Sequence, residues 1–148
     1  MKRFILLIDE LYNHKNRVVL SAEDVPDRLL NVEMSESERA DKKNVFENIL
    51  ELADNLQVLR DHIGKPIHIN SGYRSPTHNA KVGGVKDSRH IFGQAADIRI
   101  EGYSSAEIAL IIYNLISKGK MKQGGVGIYN TFVHYDIRGT RARWDNRR

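Results

Sequence analysis

The segment from Val45 to Ile63 constrains what this chain can fold into more than any other. Val45, Ile49, Leu52, Leu56, Leu59 and Ile63 recur at intervals of four, three, four, three and four. That spacing puts all of them on one face of a helix. Glu47, Asn48, Glu51, Asp54, Asn55, Arg60 and Asp61 lie between them, and Gly64 followed by Pro66 stops the helix. A stripe of this kind reads as core and carries no functional meaning by itself.

Beyond this helix the chain breaks into short elements. Ile67-His68-Ile69 alternates and predicts a strand, and Ser71 to Pro76 reads as a loop. Thr77 to Val82 predicts one or two helical turns before the Gly83-Gly84 turn. Ala95 to Ile100 alternates again, with Ala96, Ile98 and Ile100 on one face and Asp97 and Arg99 on the other. A second helix starts at Ser104 or Ser105 and ends at Gly119, with Ile108, Ala109, Ile111, Ile112, Leu115 and Ile116 as its apolar positions. Val126–Tyr129 and Phe132–Ile137 predict two strands around an Asn130-Thr131 hairpin turn. The fold class expected is α+β, with helices packed on one side of a small, largely antiparallel sheet.

The ends are harder to read. Phe4 to Tyr12 could form a short helix, Val18 to Leu20 a short extended piece, and Ser21 with Asp24 a helix start crowded by Pro26. Ser35 to Arg39 reads as a loop or a helix start, and residues 138–148 as a basic, solvated tail. The expected organisation is one domain over 1–148, with a helical or irregular extension over 1–40 and a core over 41–148. At 148 residues the chain has the length of one ordinary domain. The apolar run after Met1-Lys2-Arg3 spans Phe4 to Ile8 and is closed by Asp9 and Glu10. It is shorter than a secretory leader or a membrane span requires, so synthesis without an export signal and no membrane partner are expected.

Composition narrows the chemistry. The chain has no cysteine, which excludes thiolate metal sites, disulfides and cysteine nucleophiles, so any metal must be held by His, Asp or Glu. The net charge of +4 favours polyanionic partners such as cell-wall polymers. No row of aromatics interleaves the basic residues, so nucleic acid is not expected as a partner.

His90 and Asp97 lie in Ser88-Arg-His90-Ile-Phe-Gly93-Gln-Ala95-Ala-Asp97, where Gly93 lets the chain turn. Asp97 falls on the polar face of one predicted strand. His134 shares a face with Phe132 and Asp136 on another, opposite Val133, Tyr135 and Ile137. If those strands are neighbours, Asp97 and His134 point into one cleft that His90 can complete. Two histidines and a carboxylate suit catalytic zinc, leaving a fourth position open for water. From spacing alone, a surface or hydrogen-bonded histidine is the commoner reading.

The motif Ser88-x-His90-x-x-Gly93-x-Ala95-x-Asp97 resembles the signature of the zinc D-alanyl-D-alanine carboxypeptidase and phage endolysin metallopeptidase family, which has the Hedgehog/DD-peptidase fold. Ser71-Gly-Tyr-Arg74-Ser-Pro76, Asn79 and Val82-Gly-Gly84 upstream are similar to that family. So are Val126-Gly-Ile-Tyr129, Phe132-Val-His134-Tyr-Asp136 and Arg138-Gly-Thr-Arg-Ala-Arg-Trp144 downstream. The resemblance spans about residues 45 to 145. It implies one zinc ion on His90, Asp97 and His134. It also implies that Arg74 faces the substrate to grip a carboxylate or an oxyanion, and that Ser88 steadies the His90 loop. A surface salt bridge for Arg74 and a plain turn role for Ser88 are the alternatives.

The general base does not follow the family pattern. Many family members carry an acidic residue or a histidine three positions before the second histidine ligand. Here that position is Thr131, which cannot take a proton near neutral pH. Asp136 is the candidate for proton transfer, with orientation of a ligand histidine as its alternative role, and Glu101 is a weaker candidate. Trp144 and Tyr73 read as packing, and His14, His62, His68 and His78 as ordinary surface residues.

The resemblance therefore implies a monomeric zinc peptidase acting on peptidoglycan stem peptides, of phage or bacterial origin, working on the wall after release. Its activity would be that of a carboxypeptidase or an endolysin-type endopeptidase. The rival expectations are a catalytically inactive zinc-binding module and a phage structural or accessory protein that uses the basic tail.

Overall fold

The computed structural model describes residues 4–7, 19–22 and 36–148, with side chains from residue 44 onward. Two short strands, β1 (Phe4–Leu7) and β2 (Val19–Ala22), pair antiparallel. Phe4 to Leu7 is thus a strand and not the start of a helix, because its apolar residues gain backbone partners in β2. The Ser21–Asp24 helix start lies largely outside the described residues.

The body begins with helix α1 (Glu36–Ile63), which starts earlier than its apolar stripe. Next along the chain come β3 (Ile67–Ser71), α2 (Pro76–Lys81), a 3₁₀ turn (Arg89–Phe92), β4 (Ala95–Ile100), α3 (Ser105–Ser117), β5 (Gly125–Ile128), β6 (Val133–Asp136) and β7 (Ala142–Asp145). The sheet has five strands in the order β3-β4-β6-β5-β7. Its pairs are antiparallel except β5 with β7, which is parallel. This is the expected α+β architecture. Tyr129 and Phe132 close the hairpin across Asn130-Thr131 through a 3.0 Å backbone bond.

The core lies between the two long helices and one face of the sheet. Leu52, Leu56 and Leu59 of α1 and Ile108, Ala109, Ile112 and Leu115 of α3 pack with Ile98, Ile100, Val126, Val133, Tyr135 and Ile137. Each fully buried aliphatic side chain contributes on the order of 1.5–3 kcal/mol. Ser104 caps α3 through a reciprocal box with Glu107.

Only part of the α1 stripe belongs to this core. Val45 and Ile49 lie further up the helix, where they meet the backbone of Gly93, and Asn48 donates from Nδ2 to the Phe92 carbonyl at 2.9 Å. The first half of the helix thus props the turn that carries His90.

The C-terminal segment also differs from the expected solvated tail. Ala142 to Asp145 form the outermost strand. Arg143 bonds the Gly124 carbonyl and Gln123 Oε1, and its guanidinium lies 4.8 Å from the Tyr113 ring centroid. The alternating Ala142, Arg143, Trp144 and Asp145 match a half-buried edge strand. Arg143 and the arginines flanking the strand mask it in sequence, because long basic side chains bury their stems while remaining polar at the tip. Among the described residues, no helix is long and apolar enough to cross a membrane.

Candidate metal centre

The sheet register places the candidate residues in one row. Ser71 of β3 pairs with Asp97 of β4, Asp97 with His134 of β6, His134 with Gly127 of β5, and Gly127 with Trp144 of β7. Alternation then turns Asp97 and His134 away from the helices, while Ile98, Val133 and Tyr135 face them. His90 comes from outside the sheet on the 3₁₀ turn. Ser88 caps that turn by accepting from the His90 backbone N–H at 3.4 Å. Gly93 closes it at φ +68°, where an added Cβ would press into the Val45 carbonyl.

His90, Asp97 and His134 each offer a ligand atom, and these atoms lie within 4.8 Å of one another. Their side chains are only 4%, 10% and 11% exposed, so the cluster is nearly dry yet reachable. Asp97 Oδ1 is 3.3 Å from His90 Nε2 and 3.0 Å from His134 Nδ1. The opposite ring nitrogens have partners of their own. His90 Nδ1 sits 2.7 Å from the Gly72 carbonyl, and His134 Nε2 sits 3.0 Å from Asp136 Oδ2. A neutral imidazole that donates from one nitrogen presents a lone pair on the other. With a metal bound, His90 would thus present Nε2 and His134 Nδ1, both on the Asp97 side. This donor set fits a tetrahedral metal ion.

Charge follows the same geometry. Burial works against ionised Asp97, but hydrogen bonds from His134 and His90 hold its carboxyl well below the usual range. Burial likewise opposes a charged His134, yet the carboxylates of Asp136 and Asp97 raise its pKa above the ordinary value.

Arg74 reaches the same cluster. Its Nη2 donates to Asp97 Oδ2 at 3.0 Å and its Nε to Ser71 Oγ at 2.8 Å, while its backbone N–H donates to the His90 carbonyl at 3.1 Å. The Arg74 side chain is 19% exposed, which makes its pairing more than a surface contact.

Asp136 lies against the cluster but does not open into it. It is completely buried. Oδ1 accepts from Gly125 N, Arg138 N and Arg138 Nε, and Oδ2 accepts from Arg138 Nη2 at 2.6 Å while facing His134. Burial raises its pKa, but these bonds outweigh burial and hold the carboxyl well below the usual range. Thr131 is exposed at the hairpin turn, and Glu101 is exposed past the end of β4, four residues and roughly 13 Å along the chain from Asp97. His62 and His68 are exposed as expected, whereas His78 is half-buried.

The sequence alone suggests packing for Trp144 and does not mark Arg138 as part of the site. In the fold, Trp144 covers Gly127, and its ring centroid lies 5.2 Å from that of His134. The signal available in sequence is glycine at position 127 on a strand, which often marks close approach by another group.

The mixed sheet thus gathers a nearly buried His-Asp-His cluster beside an arginine, a set that could hold one metal ion. Comparison with known proteins agrees. Residues 27–136 match the model of the Peptidase M15 family, and the chain belongs to that family. It is 36% identical over 102 residues to the peptidoglycan L,D-endopeptidase MepK of Escherichia coli K12, covering 63% of this chain and 52% of that protein. It is 52% identical over 44 residues to the zinc D-Ala-D-Ala carboxypeptidase of Streptomyces albus G, covering 29% of this chain and 17% of that protein. The matched stretches thus span about half or less of these relatives.

Proposed function

We propose that this protein is a zinc-dependent peptidase that hydrolyses peptide bonds in the stem peptides of peptidoglycan, with His90, Asp97 and His134 as the ligands of one zinc ion. The observation that carries this reading is the convergence of His90 Nε2, His134 Nδ1 and Asp97 Oδ1, with each outer imidazole nitrogen already engaged. When bound, zinc would supply Lewis acidity that polarises a carbonyl and lowers the pKa of water.

The chain's own residues do the rest. Arg74 neutralises Asp97 Oδ2 and thereby orients Oδ1 towards the histidines. Two of its five N–H donors are engaged in this way with Asp97 and Ser71. The remaining donors can meet a substrate carboxylate or a developing oxyanion. The low exposure of the cluster removes competing water and strengthens these contacts. Asp136, closed off by Arg138, acts in this reading by orienting His134 and not by taking the proton.

Similarity to the endopeptidase runs along more of the chain than similarity to the carboxypeptidase, which favours an internal bond over a terminal D-Ala–D-Ala bond. The protein is taken to act as a monomer, without nucleic-acid or membrane partners. A phage or prophage setting rests on the resemblance alone. The test is digestion of purified peptidoglycan with and without chelator, with products identified by mass spectrometry. Chelator-sensitive products are expected, and their masses name the bond. Absence of products from the zinc-loaded protein, or undiminished activity in His90→Ala, overturns the reading.

One observation favours a second reading, a zinc-binding module without turnover. The usual base position holds exposed Thr131, and Asp136 is enclosed. Tight zinc binding with no product from any wall peptide would favour it.

A further inference from the structure

The matched family region ends at Asp136, yet the contacts that hold Asp136 come mainly from beyond it. A fully buried carboxylate is costly unless charged and polar donors surround it. Arg138 supplies three of those donors: its backbone N–H at 3.2 Å, Nε at 2.8 Å and Nη2 at 2.6 Å. The Nε and Nη2 pair forms a planar fork on the two carboxylate oxygens, which fixes the plane of the group as well as its charge. Oδ2 is thereby aimed at His134 Nε2.

Trp144 secures the other side. Its guanidinium neighbour Arg138 lies 5.9 Å from the indole centroid, within cation–π reach. Its Nε1 donates to Tyr129 Oη at 3.1 Å, and the Tyr129 ring stacks on Phe132 at 4.4 Å. Gly127, which pairs with both His134 and Trp144, has no side chain to separate them. An added Cβ there would overlap the indole. The Trp144 ring therefore reaches across β5 and leans on the His134 imidazole, with the planes at 46°.

We propose that Arg138 and Trp144 form an outer brace that fixes the orientation and tautomer of His134, making the C-terminal segment a positioning element of the metal centre. Arg138 acts through Asp136 on the Nε2 side of the ring, and Trp144 acts on the ring itself. This inference rests on the reading of His134 as a metal ligand. The sign of the effect separates the brace from simple electrostatics. Coulomb's law alone says that removing a cation near a dication site tightens metal binding. The brace says that it weakens binding.

The test uses the full chain and measures zinc affinity by competition with a chromogenic chelator. In parallel, two-bond ¹H–¹⁵N spectra of the imidazoles report which His134 nitrogen carries the proton. Arg138→Gln is expected to weaken zinc binding about 10- to 100-fold, the range for loss of an outer partner of a histidine ligand. It should also shift His134 away from the pattern of protonated Nε2 and metal-bound Nδ1. Arg138→Lys should recover only part of the loss, because an ammonium lacks the planar fork. Trp144→Leu should weaken binding by a smaller factor. Arg147→Gln, an exposed arginine paired with Asp145, should leave affinity unchanged.

Unchanged or tighter binding in folded Arg138→Gln overturns the brace, as does an equal effect of Arg147→Gln. If Arg138→Gln does not fold, Arg138→Lys and Trp144→Leu decide, and an unaltered His134 pattern in both overturns it. If His134→Ala binds zinc as tightly as the unaltered chain, the metal-ligand reading itself has failed.

Discussion

The two histidines of the cluster are held by opposite means. His90 sits on a short 3₁₀ turn, and its ring is held by backbone through the Gly72 carbonyl on Nδ1, while the Ser88 hydroxyl caps the turn and Gly93 rests it on Val45 and Ile49. His134 sits in the middle of a strand and is held by side chains: Asp136, then Arg138, with Trp144 against the ring. The difference follows from position. The His90 turn packs beside the loop after β3, where the Gly72 carbonyl serves no ladder, whereas the backbone groups of an inner strand already do. A strand histidine must therefore recruit its outer partner from side chains, and here the nearest is two residues along on the same face.

The largest expected effect treats the two arms alike. His90→Ala and His134→Ala should each abolish tight zinc binding, measured by calorimetric titration, because two ligands do not make a closed site. Retention of binding in one would show that the arms are not equivalent ligands.

Next in size, Asp136→Ala should separate them. It leaves Arg138 without its partner and His134 without its acceptor. We expect a loss of about 3 kcal/mol in urea unfolding of the metal-free chain, at the lower end for a broken buried pair because Arg138 is partly exposed. A loss below about 0.5 kcal/mol would mean that the buried carboxylate is not stabilising the His134 arm.

The third test is the pH profile of the metal-free protein. The folded-state pKa values of Asp97 and Asp136 lie below the ordinary 3.8, so their contribution is present above that value and is lost as pH falls through the depressed pKa. The pKa of His134 is raised above 6.5. Its contribution is complete below 6.5 and is lost as pH rises through the folded value. For these groups, stability of the metal-free chain should peak between about pH 4 and 6.5. Zinc, which needs neutral imidazole, should remove the alkaline decline. Thermal unfolding across pH with and without chelator checks this, and identical curve shapes would count against it.

The smallest effects probe the His90 arm. Gly93→Ala forces a side chain into left-handed backbone and against the Val45 carbonyl, which should cost about 2 kcal/mol. Ser88→Ala removes only the cap, at about 1 kcal/mol. Both are read by denaturant unfolding. If Ser88→Ala costs more than Gly93→Ala, the cap and not the glycine turn is what holds this arm.

Much of this was legible in the sequence, and the reason differs by region. The α1 and α3 stripes, the alternating strands and the Asn130-Thr131 turn are local periodicities, written within a few residues of where they act. The resemblance marked the candidate ligands because several separated blocks agree with it in the right order. The division of the α1 stripe could not be read this way. Leu52, Leu56 and Leu59 enter the core while Val45 and Ile49 support Gly93, although all of them obey one period. Periodicity reports which face is apolar and not what covers it.

By itself, then, the sequence determined the element types between residues 45 and 137, the apolar faces and the exclusion of thiolate chemistry, and through its resemblance it marked His90, Asp97 and His134 as candidate ligands. Only the tertiary structure decided the rest. It placed Ser71, Asp97, His134, Gly127 and Trp144 in one row across the sheet, because strand order and register depend on contacts between residues far apart in the chain. It enclosed Asp136 and turned a basic tail into an edge strand that faces the site, because burial is a property of neighbours, and a string of arginines looks solvated until its partners are known.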